Sequence, residues 1–207
     1  MTIPVARRRG TETGEPWAAT DPELEWTALG AEAKHERILS AAGRVFSREG
    51  LDAPMPAVAA AAGAGIASVY RQFSSKSDLL AALVTRRLEQ TTAAAAEATA
   101  RAGDRWSALT EMLWTIVERQ SGDDFLGEAL AQVADHRDVA AAMGRALGAL
   151  EQVMEAAREE GRLRADATTA DLQLLFAATR AAKRVEPEGW QRMLVLLIDG
   201  LDARPEA

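Results

Sequence analysis

The chain of 207 residues contains no cysteine. Disulfides and thiolate metal sites are therefore excluded, and a reducing compartment is expected. Histidine is nearly absent as well, with His35 and His136 alone, so acid–base catalysis would have to rest on carboxylates. Aromatic residues make up 5% of the chain. No apolar run approaches the roughly 20 residues that a membrane span needs. The opening "MTIPVARRRG" lacks the apolar core of a secretion signal. The expectation is a soluble, cytoplasmic protein with no membrane partner.

What the chain has in quantity is alanine, leucine, glutamate and arginine, all strong helix formers. The expected fold class is all-α, and the length suffices for one large or two small domains with a real core. The net charge of -7 argues against a generally basic surface, but the charge is uneven. Residues 1–30 carry three basic and five acidic groups, residues 31–80 six and five, and residues 81–207 fifteen and twenty-one. Contact with phosphate is therefore expected from the N-terminal part.

Punctuation and periodicity divide the chain further. Residues 1–30 hold Gly, Pro, Thr and Glu without a sustained apolar stripe and read as a flexible arm, on which Trp17, Trp26 and Leu29 are candidates for local docking. Ile38, Ala42, Val45 and Phe46 recur at helical spacing before Gly50, which predicts a first helix over about 32–49. Pro54 and Pro56 sit at the start of a short second helix that Gly63 ends. A third short helix covers about 66–73, and a fourth runs from Ser75 or Lys76 to about 101. Trp106, Leu109, Leu113, Ile116 and Val117 share one face of a fifth, and "SGDD" breaks it. A sixth (about 125–134) precedes a long seventh with Val139, Met143, Leu147, Leu150 and Met154 in a stripe. After the turn "GRLRADAT" come two final helices, about 169–185 and 188–201.

The stretch "AAAAGAGIASVYRQFSSKSDLL" carries the functional reading. Two short helices joined by a glycine turn and backed by a longer helix make a helix-turn-helix, in which Gly63 permits a positive φ. If Val58, Ala59, Ala62, Val69 and Phe73 face inward, then Ile66, Ala67, Ser68, Tyr70, Arg71 and Gln72 lie along the outer side of a helix of major-groove size. Ser68 and Tyr70 offer hydroxyls to phosphate oxygens. Lys76 adds a cation at a helix start, where backbone N–H groups also favour anions. Tyr70 and Phe73 taken singly fit a core role equally well.

From Arg37 to Val84, "RILSAAGRVFSREGLDAPMPAVAAAAGAGIASVYRQFSSKSDLLAALV" resembles the tetracycline-repressor (TetR) family of one-component regulators. The likeness rests on the Phe46, Gly50, Ala62-Gly63, Tyr70, Phe73 and Lys76 positions taken together. It implies phosphate contact by Ser68, Tyr70 and Lys76, and base or groove contact from Gly65, Ile66, Ala67, Arg71 and Gln72. It also implies double-stranded operator DNA as partner, a helix-turn-helix domain over 31–80, and a ligand-binding and dimerisation domain over 81–207. The chain departs from the pattern at Gly65, where many relatives have Ser, at Gln72, where His is common, and in the uncharged second helix "AVAAAA". Fewer side-chain phosphate contacts are therefore expected.

The second part of the chain should sense something. Leu88, Leu109, Met112, Leu113, Trp114, Phe125, Leu126, Leu130, Met143, Leu147, Met154 and Phe176 are candidate walls of an apolar site for a hydrophobic or aromatic small-molecule effector. Each also fits an ordinary packed core. In the last helix Trp190, Leu194, Val195, Leu196 and Ile198 are apolar nearly all round, so that helix must be buried on more than one side. Leu174, Ala177, Ala178 and Ala181 form a complementary strip on the helix before it, which predicts a homodimer through a four-helix bundle. Arg7-Arg8-Arg9 has two readings, a solvated tail or a minor-groove arm. Glu32 and His35 have helical ligand spacing, but no second such pair exists, and a surface position is expected instead of a metal site. No nucleophile–base pair and no glycine-rich phosphate cradle stands out, so neither an enzyme nor a cofactor is expected. The other functional readings are a helical binding module without DNA recognition and, more remotely, a bundle enzyme.

Overall fold

The computed structural model describes residues 26–101, 103–120 and 125–203. After a helical turn at 26–28, it places α1 (Ala31–Glu49), α2 (Met55–Ala62), α3 (Ile66–Gln72), α4 (Lys76–Ala100), α5 (Arg105–Gln120), α6 (Phe125–Val133), α7 (Arg137–Glu159), α8 (Thr169–Val185) and α9 (Gly189–Leu201). The chain is all-α, with a single isolated bridge between Leu163 and Asp202 among the described residues. Most of the expected arm, including Arg7-Arg8-Arg9 and Trp17, lies outside the described residues. Trp26 is buried, with Lys34 Nζ 5.8 Å above its ring, and Leu29 packs against the same core.

Two apolar cores hold the molecule together. The first gathers Ile38, Leu39, Val45 and Phe46 of α1, Val58 and Ala62 of α2, Val69 of α3 and Leu79, Leu80 and Leu83 of α4. It also takes in Phe125, Ala129 and Val133 of α6, together with Val139 of α7. The Phe125 and Phe46 rings lie 5.8 Å apart. The second core joins the far half of α4 to α5, α7, α8 and α9 through Ala95, Leu109, Leu113, Met154, Leu172 and Leu194. Two long helices, α4 and α7, form the most extensive helix pair and span both cores.

The buried stripe of α7 differs from the expected one. Val139, Ala142, Ala146, Leu150, Val153, Met154 and Ala157 are buried, whereas Met143 and Leu147 are half-buried. Small alanines occupy the seam because α4, itself alanine-rich at Ala94, Ala95 and Ala98, approaches α7 closely. Beside Ala142 and Ala146 the bulkier Met143 and Leu147 are left at the margin.

The segment after α7 is more ordered than a plain turn. Gly161 turns the chain at φ 72°. Arg164 N then donates to Leu201 O (3.0 Å), and Ala203 N to Arg162 O (2.8 Å). Arg162 Nη2 also pairs with Asp202 at 3.2 Å, which ties the end of α9 to this strip. Only the backbone pairing reveals this clasp, since the sequence there has no strand periodicity.

Candidate nucleic-acid interface and effector cavity

The α2–α3 turn is set by backbone chemistry. Gly63 caps α2 at φ 65°, ψ 34°, the left-handed region that a Cβ resists. Two arginines of α1 complete the cap: Arg37 Nε donates to Ala62 O (2.8 Å) and Arg44 Nη2 to Ala61 O (3.4 Å). Carbonyls at a helix C-terminus lack intrahelical partners and carry partial negative charge, so guanidiniums suit them. The sequence reading missed this role, though both arginines lie on the stretch that carries the resemblance.

α3 is anchored by Val69 (0% exposed), and Phe73 just beyond it is also buried. Its other side faces outward: Ile66 and Tyr70 are 39% and 48% exposed, and Gly65, Ala67 and Arg71 are exposed. Ser68 and Gln72 are half-buried. Gly65 is the N-cap and makes no side-chain cap bond, as its lack of a hydroxyl requires. Arg71 Nη2 donates to Ser68 Oγ at 2.6 Å, so two of the candidate contact groups are paired with each other.

α4 begins on the same face. Ser75 caps it by accepting from Asp78 N (3.0 Å), and the Ser74 hydroxyl donates to the Asp78 carboxylate. Those hydroxyls, Ser74 first and then Ser75, hold the Asp78 carboxyl below the usual carboxylate range. Lys76 is half-buried, with its Nζ 5.6 Å above the Phe46 ring, so its stem rests on the first core while the charge stays at the helix start. His35 is not a bare surface residue: its ring lies 4.6 Å from that of Phe73 and is half-buried. No group of three or more metal-ligating side chains is present among the described residues.

A separate cavity of about 280 Å³ lies between α4, α6, α7 and α8. Leu88, Leu126, Leu130, Met143, Leu147 and Phe176 line it as expected candidates. The other six do not. Leu109, Met112, Leu113 and Met154 belong to the second core, and Phe125 to the first. Trp114 packs edge-on against Trp190, centroids 5.8 Å apart. The wall also contains Val84, Arg87 and Thr91 of α4, Gly127 of α6, and Gln173 and Arg180 of α8. The signal for several of these was in the sequence: 84, 87, 88 and 91, and again 173, 176 and 180, recur at helical spacing on one face each. Arg87, Gln173 and Arg180 escaped notice because a charged or polar residue does not register in an apolar stripe.

The candidate dimer residues divide in a similar way. Leu174 is 68% and Leu196 50% exposed. Ala177 and Ala181 are exposed, and Ala178 and Val195 half-buried. Leu194 and Ile198 are instead buried within the chain, and Trp190 is held by Trp114. One side of α9 is thus covered by the chain itself. A groove of about 410 Å³ between α8 and α9, with Leu174, Ala178, Leu196 and Leu197 in its wall, remains open.

A glycine-capped helix pair that presents one helix outward is the architecture of helix-turn-helix transcription regulators. Residues 38–83 match the family model described as bacterial regulatory proteins, tetR family. Residues 104–203 match the C-terminal domain of SbtR-like transcriptional regulators. No curated protein matches the chain. Among solved structures, a TetR transcriptional regulator of Streptomyces coelicolor is 25% identical with a TM-score of 0.63, over 83% of this chain and 99% of that one. SmeT, the repressor of the Stenotrophomonas maltophilia multidrug efflux pump SmeDEF, is 25% identical with a TM-score of 0.58, over 80% and 87%. SmeT is also similar in its triclosan complex, at 25% identity and a TM-score of 0.58 over 81% and 89%. The chain belongs to the TetR family and is a DNA-binding transcription regulator.

Proposed function

We infer that the chain is a homodimeric cytoplasmic repressor that binds a palindromic operator and is released from it by a small ligand. In this reading residues 31–80 bind DNA and residues 81–207 sense the ligand and dimerise. Gly65, Ile66, Ala67, Arg71 and Gln72 face the bases, while Ser68, Tyr70 and Lys76 hold phosphates. The similarity to SmeT, a repressor solved with triclosan, supports both repression and a small hydrophobic effector.

The observation that carries the reading is the double contact made by α6. Phe125, Ala129 and Val133 are packed into the core that supports α1 and α3, while Leu126, Gly127 and Leu130 form cavity wall. α4 has the same property, with Lys76 at its start and Val84, Arg87, Leu88 and Thr91 on the cavity. A ligand that repositions α6 or α4 therefore changes where α3 points. In a two-fold dimer, the spacing of two recognition helices must match major grooves about 34 Å apart. A ligand favouring a different spacing shifts the population away from the DNA-bound state.

The two final helices support the dimer through Leu174, Ala177, Ala178, Ala181 and Leu196, where small side chains let helix axes approach. The test is an anisotropy titration of labelled DNA from the chain's own promoter, repeated with a panel of apolar effectors. Saturable, salt-dependent binding that an effector reverses is the expected outcome. Effector binding without any DNA binding would instead make the chain a sequestering module.

A further inference from the structure

The turn between α2 and α3 has few restraints of its own. Its residues are Gly63, Ala64 and Gly65, and glycine has the most backbone freedom to lose on ordering. Gly65 makes no side-chain cap bond to α3. α2 has no basic residue in its last turn, so the partial negative charge at its C-terminus must be met from elsewhere. The last four carbonyls of a helix lack intrahelical partners, and those of α2 are satisfied from two directions. The turn's own backbone serves the first two: Ala64 N donates to Ala59 O (3.0 Å) and Gly63 N to Ala60 O (3.1 Å). α1 serves the last two, with Arg44 Nη2 donating to Ala61 O (3.4 Å) and Arg37 Nε to Ala62 O (2.8 Å). The Ala62 carbonyl belongs to the peptide that enters Gly63. Arg37 therefore grips the chain at the point from which α3 is aimed. Its base is firm, since the next two residues of α1, Ile38 and Leu39, are buried in the first core.

We propose that Arg37, with Arg44 in support, is a positioning residue for DNA reading: by holding the Ala62 carbonyl from α1 it fixes the direction in which α3 leaves the turn, and it touches neither base nor phosphate. The proposal rests on the reading of α3 as the DNA-facing helix. The bond from α1 supplies from outside the restraint that a capping hydroxyl at position 65 would supply from within. Its loss has a particular signature. Base edges are read only by a helix held in the right orientation, whereas attraction to phosphate is sequence-independent and tolerates a helix that wavers. A loosened turn therefore costs affinity for the specific sequence and leaves non-specific binding in place.

The test compares Arg37→Gln, Arg37→Lys and Arg44→Gln with wild type in the full chain, at a temperature where circular dichroism shows all four folded. Anisotropy titrations use a duplex from the chain's own promoter and an unrelated duplex across a salt series. Arg37→Gln should bind the promoter duplex about tenfold or more weakly, bind the unrelated duplex within about threefold of wild type, and keep the wild-type salt slope. Arg37→Lys, which keeps a cationic donor, should recover most of the loss, and Arg44→Gln should lose about threefold, as its longer bond implies. Amide hydrogen exchange of the DNA-free chain reads the turn directly. Exchange at 63–69 should rise about tenfold or more in Arg37→Gln, while α1 and the second core keep their protection. Unchanged promoter affinity, an equal loss on both duplexes, a salt slope reduced by about one as for a phosphate contact, or unchanged exchange at 63–69 would overturn the proposal. A wild type that does not distinguish the duplexes would contradict the DNA-reading role of α3 itself, and the exchange arm would then decide whether Arg37 orders the turn.

Discussion

Gly63 and Lys76 make different kinds of demand on the sequence, one conformational and one electrostatic. At φ 65°, Gly63 holds a conformation that costs a β-branched residue of order 1–3 kcal/mol. Gly63→Val should therefore lower the denaturation midpoint of the helix-turn-helix and abolish operator binding, while the second core, which residue 63 does not touch, stays folded. Normal DNA binding by that variant would contradict the turn geometry. Lys76 contributes charge at a helix start. Lys76→Ala should weaken binding to all sequences alike and reduce the salt slope by about one, and an unchanged slope would remove it from the phosphate contacts. Gly65 offers a gain in place of a loss. Its φ is -67° and a Cβ added there would meet nothing within 4 Å, so Gly65→Ser should cap α3 and add a few tenths of a kcal/mol of stability, visible as a higher chemical denaturation midpoint.

At the scale of the element, the start of α4 should respond to acid. Asp78 is held below the usual carboxylate range by the Ser74 and Ser75 hydroxyls. Its charge therefore stabilises the folded state fully above the unfolded value of about 3.9 and progressively less as pH falls through the lower folded value. Asp78→Asn should cost stability at neutral pH, and the gap from wild type should close on acidification from about pH 6 to pH 3; a pH-independent gap would dissociate the effect from this carboxylate. Element limits were largely legible in the sequence, because Pro54, Gly63, the Ser75 cap and Gly161 act locally. The α7 stripe was not. Apolar periodicity favours Met143 and Leu147 over Ala142 and Ala146, yet close approach of α4 puts the alanines in the seam. The same limit affected the cavity: Phe176, Met143 and Leu147 were found by their apolar character, while Arg87, Gln173 and Arg180 required the tertiary arrangement. Trp114 and Trp190 were assigned to two different sites, and only folding shows that they meet.

In the proposed function, α4 and α6 join a DNA-reading end to a sensing end across the whole molecule, and the exposed α8–α9 face would take a second copy. Leu174 and Leu196 are large, apolar and at least half exposed there. A charge placed on that face would be desolvated against an apolar partner, so Leu196→Arg or Ala178→Glu should yield monomers by light scattering at micromolar concentration. Operator affinity should fall when the dimer is lost, since one subunit reads half a palindrome. A wild type that is itself monomeric would contradict the two-fold arrangement. The most direct measurement of the central claim is the affinity of the purified chain for a duplex from its own promoter and for an unrelated duplex, across a series of salt concentrations. The account predicts about a thousandfold or greater preference for the promoter duplex, with affinity falling linearly on a log–log salt plot. Equal affinity for both duplexes, or no binding to either at low salt, would contradict it.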